Sequence, residues 1–327
     1  MNKQKIALTA LSLAAATMLA ACGGGGGGGS SSGAAPSNPA SSPATNPANL
    51  SSPQYAADSA PLAAFNLLNQ LRQQCGFPAL QDNAALDQAA QAHAQYQATN
   101  NVVSDTEVSG NAGFTGVNYA DRAAHFGYTQ NVGFGGVSGG YYTNATLTET
   151  QYGQQLVYGW LSGVYHIGIG VWPTNSVGIG KVASTYNGFP QVWGSMTLAN
   201  LQPVITGAPL TFPCQGTTGI PYSAGGEIPT PPNTSGNWGT PVAVAGNPSD
   251  TIVLQSGTMT DASGHVIALQ LLGSASDPNK LLPSYVSVGY PAAPLSPGAT
   301  YTVSLTGTIN GTAFSRNFSF TTGNIVG

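Results

Sequence analysis

Charged side chains are scarce in this sequence, because Asp, Glu, Lys and Arg make up 6% of its 327 residues. The seven basic residues form no cluster, which argues against a nucleic-acid partner. Apart from the run at residues 6–18, no apolar stretch approaches the roughly 20 residues that a membrane-spanning helix needs. The motifs H-E-x-x-H and C-x-x-C are missing, so the sequence carries no signature of a zinc peptidase or a dithiol site.

Cys22, one of three cysteines, ends a stretch with the layout of a secretory signal. A cationic head with Lys3 and Lys5 precedes an apolar run and small residues. Leu19-Ala20-Ala21-Cys22 resembles a bacterial lipobox, which implies cleavage before Cys22 and a lipid anchor on its sulfur in the cell envelope. An ordinary signal peptide with a chance cysteine is the alternative. Because Gly23 is not the aspartate associated with inner-membrane retention, the resemblance points to the outer membrane.

The other two cysteines, Cys75 and Cys214, are expected to form one disulfide if the chain is exported to an oxidising compartment. Such a bridge closes a loop of about 140 residues, and chain entropy gives it up to about 4–5 kcal/mol of stabilisation. Two buried free thiols are the alternative.

Composition divides the chain into segments of different texture. Gly, Ser, Pro and Ala dominate the first stretch after Cys22, which cannot bury enough apolar surface to fold and is predicted to be a disordered tether. Helical spacing then gives way to short strands, and from residue 241 the pattern is all-β. The predicted segments are 1–21 (signal peptide), 22–58 (tether), 59–202 (mixed helix and strand), 203–240 (linker) and 241–327 (β-sandwich).

Start and stop signals locate several elements. Ser59 followed by Pro61 predicts a helix start, and Thr148 with Gln151 resembles a capping box that opens a later helix. Asn310-Gly311 between alternating apolar residues predicts a type I′ hairpin. The glycines at residues 133–140 are predicted to form a loop. Short strands are expected at His166–Trp172, Val177–Val182 and Gln191–Leu198.

Short motifs in the 59–202 segment follow one another in an order and at spacings that resemble the CAP superfamily of cysteine-rich secretory, antigen 5 and pathogenesis-related 1 proteins. The resemblance implies an α+β fold, in which a CAP-like α/β/α sandwich precedes the C-terminal sheets. The motifs are Asn69-x-x-Arg72, Leu86-x-x-Ala89-x-x-x-His93-Ala94, Arg122 before Gly127-Tyr128, Trp160 six residues before His166, and Gly178-Ile179-Gly180.

Departures from the family pattern bear on function. The family cavity usually gathers two histidines and two glutamates, a set able to hold Zn²⁺. Only His166 matches that set here, and Gly163 stands where the family has a serine. The other positions hold Asp105 for the first histidine, Phe134 or Gln130 for the first glutamate, and Gln154 or Gln155 for the second.

His166 therefore has two interpretations. It is either a vestigial ligand or general base, or a structural residue that orders the cavity floor by hydrogen bonding. With Asp105 it would supply two metal ligands, fewer than the three or four of a zinc site. The sequence thus predicts no cofactor and leaves His166 and Asp105 as the candidates for a catalytic or metal role. The residues expected to line the cavity are Asp105, Gln155, Trp160, Ser162 and His166.

The C-terminal segment carries Pro294-Leu295-Ser296-Pro297-Gly298-Ala299-Thr300-Tyr301-Thr302-Val303 and Phe318-Ser319-Phe320-Thr321-Thr322-Gly323. This pattern resembles bacterial Ig-like domains of surface proteins. The resemblance implies an all-β Ig-like sandwich that acts as a spacer or adhesive module.

Three functions are consistent with these features. The favoured one is a non-catalytic binding or adhesion module that recognises a lipid, a glycan or a protein. The depleted cavity and the Ig-like partner motivate it. The alternatives are a metal-assisted hydrolase using Asp105 and His166, and a purely structural envelope protein. The ligand's identity, enzymatic activity and oligomeric state are left open.

Overall fold

The computed structural model describes residues 8–9, 48–130 and 132–327. Cys22 and most of the predicted signal peptide and tether lie outside these residues. The helices are α1 (Ala60–Gln74), α2 (Ala84–Asn100), α3 (Tyr119–His125), α4 (Glu149–Ser162) and α5 (Gly168–Val171). The strands of the first half are β1 (Leu8–Thr9), β2 (Gln81–Asp82), β3 (Phe134–Tyr142), β4 (Ser176–Tyr186) and β5 (Phe189–Ala199). The later strands are β6 (Leu210–Phe212), β7 (Thr218–Ile220), β8 (Ala224–Gly225), β9 (Glu227–Ile228), β10 (Asn237–Trp238), β11 (Val242–Ala245), β12 (Ile252–Asp261), β13 (Val266–Ala268), β14 (Gln270–Gly273), β15 (Val286–Tyr290), β16 (Thr300–Ile309) and β17 (Thr312–Thr322).

The N-terminal half is an α/β/α sandwich around a sheet of order β2-β4-β5-β3-β1-β9. α2 and α3 cover one face of this sheet, and α1, α4 and α5 cover the other. Gly178 and Gly180 make the first packing possible, because a Cβ at either position would collide with the α2 backbone at Leu86 and Ala90. The Gly178-Ile179-Gly180 motif therefore sets the close approach of α2 to β4.

The C-terminal half is built from two larger sheets, with orders β14-β15-β11-β6 and β13-β12-β16-β17-β7, and a two-stranded sheet of β10 and β8. Side chains alternate along β11, as expected for a strand that is buried on both faces. Val242 and Val244 pack into the space between the two sheets. Ala243 and Ala245 belong instead to the core of the N-terminal half. The expected α+β class is therefore confirmed, and a strand-rich region follows the helical one.

One hydrophobic core runs through both halves. Trp160 and Trp172 from the α/β/α sandwich share it with Phe212, Trp238 and Val288 from the later strands. The predicted disulfide between Cys75 and Cys214 is confirmed and joins residues 139 apart along the chain. Within the described residues, no helix is both long and apolar enough to cross a bilayer.

Several local predictions are confirmed. Ser59 caps α1 by accepting from the backbone N–H of Leu62, and Thr148 and Gln151 form a capping box at α4. The β16–β17 hairpin turns at Asn310 and Gly311, both with positive φ, as a type I′ turn requires.

Two predictions are wrong. Residues 166–172 form a turn and α5 instead of a strand. The glycine-rich run is not a loop but the central part of β3. Its glycines are required by packing, because a Cβ at Gly135 would strike the Trp172 ring and one at Gly136 would strike the Tyr119 ring.

The motif Asn69-x-x-Arg72 fixes the segment that follows α1. The Asn69 amide accepts from the backbone N–H of Leu80 and donates to its carbonyl. Arg72 is fully buried and donates to backbone carbonyls only. Burial lowers its pKa to about 9. The carbonyls that accept from its guanidinium belong to Pro78, Ile169, Gly170, Trp172 and Thr174.

We expect Arg72→Lys to lower the free energy of unfolding by about 2–4 kcal/mol, because an ammonium cannot reach carbonyls spread over a planar fork. Urea unfolding followed by circular dichroism measures the change. Gln73→Ala, an exposed change on the same helix, is the control and should stay within about 0.5 kcal/mol of the wild type. An Arg72→Lys variant as stable as this control would contradict the role given to the guanidinium.

Candidate functional site

His166 lies in the turn that connects α4 to α5, and its side chain has no exposed surface. Neither ring nitrogen makes a hydrogen bond of good geometry with the described residues. Burial lowers the pKa of His166 to about 3, so the imidazole is neutral at physiological pH. The residue that the sequence singled out is therefore present in the core but closed to solvent.

Glu227 is the nearest acidic partner of His166, and it comes from the segment that was predicted to be a linker. Its carboxylate accepts three backbone N–H bonds: from Val164 at 2.7 Å and from Tyr165 and His166 at 2.9 Å. The Nδ1 atom of His166 lies 3.3 Å from Glu227 Oε1. Successive N–H groups of a turn that converge on one carboxyl group form a nest. Glu227 thus fastens the C-terminal half to the turn after α4.

Gly163 explains why the family serine is replaced at this point. A Cβ at Gly163 would lie 2.5 Å from Glu227 Oε1 and 3.0 Å from the His166 ring. A side chain there would displace the carboxylate from its three donors. The glycine and the buried glutamate therefore depend on each other.

The ionisation of the pair is set by burial. Desolvation raises the pKa of Glu227 to about 8, and the charge of Asp105 acts in the same direction, while the three backbone N–H bonds lower it. Burial also favours the neutral form of His166. Glu227 and His166 are therefore an uncharged pair below about pH 8, which suits a site without exposed surface.

Asp105 takes part in a different network. Its Oδ1 accepts from the hydroxyl of Tyr119 at 2.6 Å, and its backbone carbonyl accepts from Arg122 at 3.0 Å. The Tyr119 hydroxyl also lies 3.2 Å from Ser138 Oγ on β3. Burial, with the charge of Asp105, raises the pKa of Tyr119. Asp105 therefore anchors the loop before α3 to the sheet.

A second buried histidine was not recognised as part of a polar network from the sequence. His93 Nδ1 lies 2.9 Å from Glu107 Oε1, and its Nε2 lies 2.7 Å from the carbonyl oxygen of Ser104. Glu107 also accepts from the backbone N–H of Thr115 at 2.6 Å, and Arg122 Nε lies 4.0 Å from its Oε1. Burial lowers the pKa of His93, and its hydrogen bond to Glu107 opposes that shift. This network orders the loop between α2 and α3.

The remaining predicted cavity residues are dispersed. Gln155 and Trp160 line a narrow pocket between α4 and β3 together with Tyr141. Ser162 donates its hydroxyl to the Gly159 carbonyl, and its own carbonyl accepts from Trp238 Nε1 at 2.8 Å. Ser162, Asp105 and His166 do not line the pocket that contains Gln155 and Trp160, so the five predicted residues do not share one cavity.

The donor set does not fit a zinc ion. Among the described residues, no group of three or more His, Cys, Asp or Glu side chains is placed to hold a metal. His166 and Glu227 supply two donors, and Asp105 is hydrogen-bonded to Tyr119. A catalytic zinc needs three protein ligands and an open position for water.

The sequence context of Glu227 distinguishes this residue, although no family motif includes it. It is the only charged residue between positions 207 and 240. A lone carboxylate in a Pro- and Gly-rich stretch of a charge-poor protein marks a specific contact. Its partner could not be found from the sequence, because the donors are backbone N–H groups about 60 residues away.

Glu227→Gln should change how stability depends on pH. Because folding raises the pKa of Glu227, its stabilising proton is retained below the unfolded value of 4.5 and is lost as the pH rises through about 8. The lowered pKa of His166 acts only below its unfolded value of 6.5. Between pH 6.5 and 8 the wild type should therefore lose up to about 1.4 kcal/mol per pH unit through Glu227, and the variant should lack this part.

Urea unfolding of both proteins across that pH range measures the difference in slope. Burial also raises the pKa of Asp87 to about 8. Asp87 contributes equally to the pH dependence of both proteins, so its contribution cancels in the difference. The variant should also be about 1–3 kcal/mol less stable at pH 6.5, because an amide NH₂ cannot accept from the nest. Parallel curves would contradict the assignment.

Comparison with known proteins supports the helical half of this description. The family model for the cysteine-rich secretory protein (CAP) family matches residues 65–196, from α1 to β5. No curated protein matches the chain significantly. Among solved structures, a DUF4426-family protein from Pseudomonas aeruginosa aligns at 14% identity over 26% of this chain and 74% of its own, with a TM-score of 0.20. That overlap is too weak to carry an argument. The α/β/α sandwich and the family match together establish that the chain carries a CAP domain over residues 65–196.

Proposed function

We propose that the chain is an exported, lipid-anchored bacterial envelope protein whose CAP domain serves as a binding module rather than as a hydrolase. The observation that carries this proposal is the closure of the residual site. His166 and Glu227 have no exposed side-chain surface, and Asp105 is bound to Tyr119. A substrate cannot reach these groups, so recognition falls to the surface.

The proposed location in the cell envelope is based on the sequence. Leu19-Ala20-Ala21-Cys22 resembles a lipobox, and Gly23 favours the outer membrane over retention at the inner one. The disulfide between Cys75 and Cys214 supports an oxidising, exported environment. The Gly- and Ser-rich tether would connect the folded part to the lipid anchor in the membrane.

The C-terminal half fits the role of a rigid support. Its sheet of β6, β11, β14 and β15 shares a core with α4 and α5, so it would present the CAP domain in a fixed orientation. The resemblance to bacterial Ig-like domains suggests a spacer or adhesive module.

Calorimetric titration of Zn²⁺ into the purified full-length protein tests the absence of a metal-assisted hydrolase. We expect no saturable heat from the wild type or from His166→Ala, because too few donors are free. His125→Ala, which changes an exposed histidine, controls for adventitious surface binding. Micromolar binding that only His166→Ala abolishes would contradict the proposal and favour the hydrolase.

Metabolic labelling tests the anchor. Bacteria that express the full chain with an alkyne-tagged fatty acid should attach the label to the wild type and not to Cys22→Ser. The label should sediment with the outer-membrane fraction. An unlabelled wild type, or a label that persists in Cys22→Ser, would contradict lipidation at this residue.

A further inference from the structure

A surface groove of about 570 Å³ opens where the segment before α1, α2, the end of α3 and β4 meet. Its lining differs from the buried His166–Glu227 pair, because amide groups and aromatic rings form most of its walls. Within the described residues, its lining contains no lysine or arginine. The lining residues are Gln54, Tyr55, Pro61, Asp87, Gln88, Gln91, Ala92, Gln95, Phe126 and Ile179.

The only acidic side chain of this groove is held in an ordered position. Asp87 Oδ1 accepts from the Tyr55 hydroxyl at 2.6 Å and from the Ile179 backbone N–H at 3.0 Å. The carboxyl group of the buried Asp82 neighbours Asp87, and its Oδ2 accepts from the Gln54 backbone N–H at 2.7 Å. Burial, together with this neighbour, raises the pKa of Asp87 to about 8, so the Asp87 carboxyl group is mostly protonated at neutral pH.

The aromatic walls are fixed before any ligand arrives. Tyr55 is held by its bond to Asp87 and by the ring of Phe65, whose centroid lies 5.9 Å away. Phe126 is half-buried against the cluster that contains Ala123 and Tyr128. Rigid rings present apolar faces at little entropic cost, which suits the C–H faces of a sugar ring.

The glutamines supply both kinds of hydrogen-bonding group. Gln91 accepts from the Lys181 backbone N–H and keeps its NH₂ group for a ligand. Gln95 donates to Thr99 and keeps its carbonyl as an acceptor. Gln88 is exposed on the same helix. Sugar hydroxyls and acetamido groups both donate and accept hydrogen bonds, so they need donors and acceptors in the site. An uncharged ligand needs no charged partner in the groove to offset its desolvation.

We propose that this groove is a binding site for a neutral glycan, with β-1,4-linked N-acetylglucosamine chains as the ligand class. Tyr55 and Phe126 would pack against sugar rings, and Gln88, Gln91 and Gln95 would bond hydroxyl and acetamido groups. The inference rests on the proposed function and names the ligand class of the binding module.

A second groove of about 400 Å³ provides an internal comparison. It is also lined by amides, among them Asn69, Gln73 and Asn175, but it has no aromatic ring in its lining. Without a stacking surface, it offers hydrogen bonds alone, which compete poorly with water. Glutamines on α1 are therefore matched controls for those on α2.

Isothermal calorimetry of the full-length protein with the tetramer of N-acetylglucosamine tests the proposal. Saturable binding should weaken about tenfold in Gln88→Ala/Gln95→Ala, because two side chains that bond the sugar are lost. Gln70→Ala/Gln73→Ala, a matched pair of exposed glutamines on α1, should bind as the wild type does. The α2 changes are on exposed positions, so circular dichroism should show an unaltered fold.

Other outcomes overturn the proposal. These are no saturable binding up to about 10 mM sugar, equal binding by the α2 variant, or tighter binding of heparin or of an uncharged tetrapeptide. The two proposals fail separately. A missing sugar signal with no zinc binding removes only the glycan site, whereas micromolar zinc binding at His166 removes the binding-module proposal itself.

Discussion

The carboxyl group of Glu227 is the contact on which the arrangement of the two halves depends. It lies in a nest of three backbone N–H groups at the turn after α4. Removal of the carboxylate would leave the donors of Val164, Tyr165 and His166 buried without a partner. Around this contact, Trp238 bonds the Ser162 carbonyl, and the strands of the C-terminal half complete the core.

Scarcity of charge shapes the rest of the interior. With so few ionisable side chains, the buried ones are satisfied mainly by backbone. Arg72 donates to carbonyl oxygens from two segments, and Glu227 accepts from N–H groups. Both sets of hydrogen bonds join segments that are far apart in sequence, so each stabilises the tertiary structure. The same scarcity leaves grooves whose recognition chemistry is amide and aromatic instead of ionic.

Local features of the fold were predictable because they depend on neighbouring residues. The cap at Ser59, the capping box at Thr148 and the Asn310-Gly311 turn each need only a few consecutive positions. The disulfide followed from counting cysteines. The CAP resemblance supplied the order of helices and strands.

The errors arose where long-range packing decides the outcome. The glycines of β3 resemble those of a loop because glycine usually disfavours a strand, but here bulky rings from other segments pack against the strand. The His166–Trp172 run has the alternation of a strand, yet the nest for Glu227 requires a turn there. For the candidate site, His166 was found by spacing, whereas Glu227 and the His93–Glu107 pair have partners that spacing does not reveal.

Because one hydrophobic core runs through both halves, we expect the CAP domain and the C-terminal sandwich to form one cooperative unit. Hydrogen exchange of the wild type at increasing urea, read by mass spectrometry, tests it most directly. Peptides from α4 and from β11 and β15 should open with the same free energy and the same urea dependence, because they share one core. Two separate openings, with the C-terminal strands still protected after α4 has exchanged or the reverse, would show that the two halves unfold independently.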